Sequence, residues 1–117
     1  MTLKRPRWKF SPDSDGWWEA RRYPAASEAL IAATEFLADD LHSSKWLARF
    51  TEAWVEGAAI DPDFAGGCEG LDFDLVDSSV VRVSWHFNNY ADTTLSLTDF
   101  KAMLEAMHQA MLKREDP

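Results

Sequence analysis

The sequence predicts a single α+β domain over residues 1–117. Its predicted parts are an N-terminal hairpin, two antiparallel helices, a three-stranded antiparallel meander and a C-terminal helix packed on the sheet. Apolar and polar side chains alternate between residues 71 and 87, whereas apolar residues recur at helical spacing in three other segments. Of the 117 residues, 46% are hydrophobic, which suffices for one core in a chain too short for two ordinary domains.

The first predicted element is the hairpin. Apolar and polar residues alternate from Trp8 to Phe10, and the aromatic and polar segment from Trp17 to Tyr23 can form the returning strand. Between them, the segment Ser11–Gly16 contains Pro, Asp and Gly, each of which favours a turn for its own steric or hydrogen-bonding reason. The alternative for residues 1–10 is a flexible basic arm.

Two helices are predicted next, joined by a short link around His42. The first runs from Pro24 to Leu41, because proline suits the first turn of a helix and apolar residues then recur on one face. Ser43 or Ser44 can cap the second helix, and Gly57 is a natural place for it to stop. A short link favours antiparallel packing of the two helices.

The clearest strand pattern follows a predicted loop from Ala58 to Gly70. Apolar residues alternate with aspartates from Leu71 to Leu75, and the same period of two recurs from Val81 to Phe87. Leu95 and Leu97 suggest a third, short strand. One apolar and one polar face on each strand predicts an antiparallel sheet that is covered on one side.

The last predicted helix is capped by Thr98. Its apolar stripe comprises Phe100, Met103, Leu104, Met107 and Met111. Lys113 and Arg114 fall in the last turn, where cations stabilise the helix dipole. We therefore expect this helix to cover the apolar face of the sheet, on which Val83 and Trp85 lie.

Charge and cysteine content exclude several classes of function. The formal net charge is −8, which disfavours nonspecific binding to nucleic acid or to an anionic membrane surface. Cys68 is the single cysteine, so no intramolecular disulfide can form, as is usual in a reducing compartment. We find neither a signal-peptide pattern nor an apolar run near the ~18 residues that span a bilayer. The protein is therefore expected to be cytoplasmic.

A calcium loop is the first candidate for a chemical site. The segment Asp13–Gly16 matches half of such a loop, in which glycine stands at the sixth position. The first and twelfth positions should then hold an acid and a glutamate, but they hold Ser11 and Arg22. We therefore interpret the segment as a turn.

Catalytic and metal sites are the next candidates. Cys68 lies in a glycine-rich segment, but its acidic surroundings would raise the pKa of the thiol, and the lysine of a phosphate-binding loop is absent. The three histidines have no metal-ligand spacing. Asp72 and Asp74 point to the polar face of one strand, where solvation explains them. We expect no catalytic, cofactor or metal site, and a small enzyme using Cys68 or His86 remains an alternative.

Five of the six tryptophans divide into two groups. Trp46, Trp54 and Trp85 lie on predicted apolar faces and are expected in the core. Trp17 and Trp18 are adjacent, so on a strand they point to opposite sides. For this pair both interpretations stay open, because tryptophan is usually buried but an exposed one is a good anchor for a protein partner.

The charge pattern is the most informative feature for function. From Thr51 to Val81 there is no lysine or arginine. The same stretch holds eight carboxylates, namely Glu52, Glu56, Asp61, Asp63, Glu69, Asp72, Asp74 and Asp77. This pattern is typical either of a solvated acidic face that pairs with the basic N-terminal segment, or of a docking surface for a basic protein. On the second interpretation, these eight residues bind the partner together with Trp17 and Trp18.

In size, acidity, aromatic content and α+β layout, the whole chain resembles the immunity proteins of contact-dependent growth inhibition and related bacterial toxin systems. The resemblance implies an antitoxin that neutralises a cationic, nuclease-type toxin domain by covering its active cleft. Electrostatic steering would speed that association. A monomer is favoured on this interpretation. The alternative is an acidic secretion chaperone or adaptor, usually a dimer, that binds a client protein.

Overall fold

The computed structural model describes residues 6–61, 65–68 and 70–116. Over these residues it has three α-helices and two antiparallel sheets, so the predicted α+β class is confirmed. A two-stranded sheet pairs β1 (Arg7–Pro12) with β2 (Trp18–Tyr23), and a four-stranded sheet runs in the order β3 (Ala65–Cys68), β4 (Leu71–Asp77), β5 (Val80–Trp85), β6 (Thr93–Ser96). The helices are α1 (Glu28–Leu41), α2 (Ser44–Ile60) and α3 (Leu97–Glu115).

The N-terminal hairpin forms where the sequence predicts it. Phe10 pairs with Ala20 across the two strands, and both side chains are buried on the same face. The turn is held by the Asp13 carboxylate, which accepts hydrogen bonds from the backbone N–H groups of Asp15 at 2.8 Å and Trp17 at 3.0 Å. Arg7 to Phe10 therefore belong to the folded domain, while residues 1–5 lie outside the described residues.

Helix α1 supports the hairpin from its side. The backbone N–H groups of Trp18 and Ala20 donate to the carboxylates of Asp39 and Glu35, each at 2.8 Å. These acids stand four residues apart on α1 and so lie on one face of the helix. The two carboxylates pair with backbone N–H groups of β2 that would otherwise lie unpaired at an open edge of the sheet. Burial is the main cause that raises the pKa of Asp39 above its ordinary value.

The predicted start of α1 at Pro24 is wrong. The strand before it continues to Tyr23, and the helix begins at Glu28 after Ser27, whose hydroxyl accepts from the N–H of Leu30 at 3.2 Å. A serine cap satisfies a free helical N–H, which a proline cannot do. The predicted end of α2 at Gly57 is also wrong, because the helix continues to Ile60.

The predicted loop from Ala58 to Gly70 contains an unpredicted strand, so the sheet has four strands rather than three. β3 lies beside β4, with Gly66 opposite Phe73 and Cys68 opposite Leu71. A Cβ atom on Gly67 would lie 2.0 Å from the carbonyl oxygen of Leu71, closer than any real contact. Glycine at this position therefore lets the two backbones approach, and it also hides the strand from any search for alternating side chains.

Helices α1 and α3 each contact both sheets. α1 contacts β2 on one side and β3, β5 and β6 on the other, whereas α3 contacts β1, β5, β6 and α2. Every residue of the predicted α3 stripe is buried. The helix contacts β5 as expected, but it is capped by Ser96 rather than Thr98, and it also packs against the hairpin and α2. Within the described part of the chain, none of the helices is both long enough and apolar enough to cross a membrane.

Aromatic rings fill the centre of the core. The ring of Phe100 lies 4.7 Å from that of Trp54 and 5.2 Å from that of Phe73, measured between centroids. The indole N–H of Trp54 donates to the carbonyl of Phe73 at 3.0 Å, which ties α2 to β4. Trp54 and Trp85 are buried as predicted, whereas the prediction for Trp46 is wrong. Its ring is exposed beside Arg49. The buried face of α2 instead contains the next residue, Leu47.

A buried carboxylate joins the hairpin to α3. Asp99 is 3% exposed and accepts the indole N–H of Trp8 at 2.7 Å. It also accepts two bonds from the Arg22 guanidinium, at 3.0 Å from Nε and 2.9 Å from Nη2. Trp8 and Arg22 face each other across β1 and β2, so one carboxylate binds both strands to the first turn of the last helix.

Candidate functional site

An open groove lies between α2 and α3 and has a volume of about 730 Å³. Ala48, Val55 and Ala59 of α2 supply apolar side chains, and Leu104 of α3 lies at its base. The three residues of α2 recur at helical spacing on the side of that helix that faces α3. We call this feature the α2–α3 groove.

The groove continues toward the turn between β4 and β5. A second depression of about 420 Å³ shares Val55, Ala59 and Lys101 with the α2–α3 groove. It adds Leu75, Val76 and Leu97, and the side chain of Val76 is exposed. The two depressions together form one apolar surface that runs from the middle of α2 to the end of β4.

Carboxylates line the edges of this surface. Glu52 and Glu56 stand one turn apart on α2, and Glu105 faces them from α3. Among the described residues that line the groove, Lys101 is the one lysine or arginine, and His108 is a fifth titratable group there. The groove therefore combines an apolar base with a net negative rim, and this combination complements an apolar segment that carries positive charge.

Asp72 and Asp74 lie elsewhere, on the outer face of the four-stranded sheet. Asp74 stands directly across from Arg82 on β5, and their side chains form an ion pair at 2.6 Å. Asp72 has an oxygen 3.0 Å from Nε2 of His86. The eight predicted carboxylates are thus not one continuous surface, because strand pairing separates these two from the helical acids. It gives Asp74 a neighbour from β5, and it gives Asp72 a neighbour just after the end of β5.

Two of the other predicted acids, Asp61 and Asp77, occupy the ends of elements. Asp61 is the C-cap of α2, and its backbone N–H donates to the carbonyl of Gly57 at 3.0 Å. Asp77 lies at the second depression, where its carboxylate accepts the N–H of Ser79 at 2.8 Å. This bond lowers the pKa of Asp77 below its ordinary value. Asp63 and Glu69 lie outside the described residues.

The adjacent tryptophans are separated by the strand, as predicted. Trp17 is 60% exposed, whereas Trp18 is 4% exposed and packs in the core, with the guanidinium of Arg114 4.2 Å from its ring centre. Burial removes Trp18 from the set of residues that a partner could contact. Trp17 remains on the surface but lies in the hairpin, and it is not among the residues that line the α2–α3 groove.

The geometry does not favour chemistry at Cys68 or His86. Burial, and then the neighbouring carboxylate of Asp40, raises the pKa of the Cys68 thiol to about 12, so the nucleophilic thiolate is scarce at neutral pH. The two ring nitrogens of His86 face the N–H of Gly70 at 3.2 Å and the carboxylate of Asp72 at 3.0 Å. Neither nitrogen is free to take a proton from a substrate. No group of three or more metal-ligating side chains occurs among the residues that the structure describes.

Sequence reasoning identified Glu52 and Glu56 but missed the part of the groove that α3 supplies. Lys101, Glu105 and His108 lie on the less apolar side of that helix, where the sequence suggests simple solvation. The contact between α2 and α3 is what turns these separate polar positions into one rim. Comparison of the chain with protein-family models, with curated proteins and with solved structures found no match.

Proposed function

We propose that the chain is a protein-binding inhibitor of the immunity-protein or antitoxin class. Its α2–α3 groove binds a cationic segment of a nuclease-type toxin, and the bound protein covers the active cleft of that toxin. The observation that carries the proposal is an apolar groove whose rim bears three glutamates, Glu52, Glu56 and Glu105, against a single lysine, Lys101.

The two parts of the groove have different physical roles. Its apolar base, with Val55 and Ala59 accessible, contributes affinity because a bound apolar side chain removes both surfaces from water. The glutamates at the rim act mainly on the association rate and on the choice of partner, since exposed charges steer a cationic protein toward the groove. A groove between two helices is also a shape that receives an amphipathic helix.

A second function, an acidic secretion chaperone or adaptor, is favoured by the amount of exposed apolar surface. Ile60 is exposed at the end of α2, and Val76 is exposed on β4. Surfaces of this kind can hold an unfolded client segment or a second copy of the chain. Light scattering after size-exclusion chromatography distinguishes the two, because an obligate dimer supports the chaperone and a monomer supports the inhibitor.

The test is a comparison of two pairs of charge reversals. Glu52→Lys with Glu56→Lys changes the groove, whereas Asp72→Lys with Asp74→Lys changes the outer face of the sheet by the same amount of charge. The partner is captured from the source cell with the wild-type protein and then purified. We expect a cationic partner, whose association slows by about tenfold or more with the groove variant at low salt and much less with the sheet variant.

Salt provides the internal control. The difference between the two variants should shrink at high salt, because the Debye length falls from about 10 Å at 0.1 M to about 3 Å at 1 M. If the purified partner is a nuclease, the wild-type protein should inhibit its activity and the groove variant should inhibit it poorly. An acidic or neutral partner, or equal binding by both variants at low salt, would contradict the proposal.

A further inference from the structure

A smaller pocket, separate from the groove and from the depression that continues it, has a volume of about 270 Å³. It lies at the end of β4 that is farther from the β4–β5 turn. Three separate segments line it. They supply Phe36 and Asp40 of α1, Gly70 before β4, and the stretch that runs from the end of β5 into the next loop, with Trp85, Phe87 and Asn89. None of them lines the α2–α3 groove. The pocket is therefore a separate feature of the surface.

Three of the six residues that line it carry aromatic rings. Phe36 meets Trp85 edge to face, with ring centres 5.7 Å apart. The ring of Tyr90 also packs against Trp85, with ring centres 5.4 Å apart. Phe87 is 80% exposed, which is unusual for a phenylalanine, and its ring meets that of His86 edge to face with centres 6.5 Å apart. The exposed ring leaves an aromatic surface open to solvent beside the pocket.

The backbone of the β3–β4 turn shapes this wall. Gly70 has a φ of +106°, and a Cβ atom there would lie 3.1 Å from Cζ of Phe36. The Phe36 ring thus packs directly on the turn, and glycine satisfies both the backbone conformation and the close contact. The backbone N–H of Gly70 donates to Nδ1 of His86 at 3.2 Å, and the N–H of His86 donates back to Gly70 at 2.9 Å. The turn is held in place by these two bonds.

The charge of the pocket is negative. Among the described residues that line it, Asp40 is the one titratable residue, and none is a lysine or an arginine. Aromatic faces carry negative electrostatic potential, so rings and a carboxylate attract the same kind of ligand, a cation. An organic cation whose charge is spread over alkyl groups also loses little hydration when it enters an apolar site. The small volume suits one such group rather than an extended ligand.

We propose that this pocket binds a small organic cation of the quaternary ammonium class, held between the rings of Phe36, Trp85 and Phe87 and the carboxylate of Asp40. The indole N–H of Trp85 is buried and has no hydrogen-bond partner among the described residues, so its resonance reports on the surroundings of a side chain that lines the pocket. The proposal does not depend on the function of the α2–α3 groove, and either one can fail without the other.

The experiment titrates the full-length protein with choline and follows the indole N–H resonances by nuclear magnetic resonance. A matched titration uses 3,3-dimethylbutan-1-ol, which has the same shape without the charge. We expect a saturable shift of the Trp85 indole with choline and at least about tenfold weaker binding of the neutral alcohol. Binding of both compounds with similar affinity would show that the pocket recognises apolar shape rather than positive charge, and it would overturn the proposal.

Variants at exposed positions identify the contributing groups. Phe87→Leu keeps an apolar side chain but removes a ring, and it should weaken choline binding by about two- to fivefold. Asp40→Asn should weaken it by a similar factor, while Trp17→Leu, which removes an exposed ring in the hairpin, should leave it unchanged. Absence of a saturable shift up to about 100 mM choline, or equal affinity of all three variants, would also overturn the proposal.

Discussion

Replacing Asp99 by alanine should destabilise the protein far more than removing any carboxylate of the outer sheet face. The buried Asp99 carboxylate accepts the indole N–H of Trp8 and two N–H groups of Arg22. Alanine leaves all three donors without an acceptor. It also removes a negative charge from the first turn of α3, where the helix dipole favours one.

The size of the effect follows from the burial of the partners. Breaking a buried ion pair by removing one partner costs about 3–5 kcal/mol. The side chain of Arg22 is 17% exposed, so water can partly solvate the freed guanidinium, and we expect the lower end, about 3 kcal/mol. Asp99→Asn keeps one acceptor oxygen for Trp8 but turns an amide N–H₂ group toward the two Arg22 donors, so it should recover only the Trp8 bond, about 1 kcal/mol of the loss.

Urea denaturation followed by tryptophan fluorescence and far-ultraviolet circular dichroism measures this loss. With an m-value of about 1–3 kcal/mol/M, a loss of about 3 kcal/mol lowers the midpoint by about 1–3 M. The matched control is Asp74→Ala, which breaks the pair with Arg82, an arginine whose side chain is 46% exposed. That pair should contribute at most about 1 kcal/mol. Equal losses for Asp99→Ala and Asp74→Ala would refute the reasoning.

The remaining predictions concern the last two residues of β3, Gly67 and Cys68. Gly67→Ala should break the pairing of β3 with β4, because the added Cβ would lie 2.0 Å from the backbone oxygen of Leu71. The free energy of unfolding should fall by about 1–3 kcal/mol, and amide hydrogen exchange in β4 should become faster. Native Cys68 should react slowly with a thiol reagent at neutral pH, at a rate that rises only when urea unfolds the protein, and rapid labelling of the folded state would contradict this. Because the pKa of the Cys68 thiol rises from 9.0 to about 12 on folding, the unfolded chain releases the proton first, so stability should fall as pH rises above about 9. Cys68→Ala should flatten that part of the stability curve, and an unchanged slope would show that another group causes it.

The sequence determined the elements whose side chains follow a strong period. β4, β5 and α3 form where alternation or helical spacing is clearest, and every apolar residue predicted for the α3 stripe is buried. The acidic character of Glu52 and Glu56 was also evident, since they belong to a stretch without lysine or arginine. Local periodicity is a property of the chain itself, so it needs no knowledge of distant contacts.

Tertiary structure decided the features that depend on neighbours far along the chain. β3 could not be recognised from its own residues, because it is short and glycine-rich and exists only through its close approach to β4. Trp46 and Trp54 both fall on an apolar pattern, yet only Trp54 faces the core. Asp72 and Asp74 look like part of one acidic surface until strand register places His86 and Arg82 beside them. Both the α2–α3 groove and the aromatic pocket are formed by segments separated in sequence, and packing alone brings such segments together.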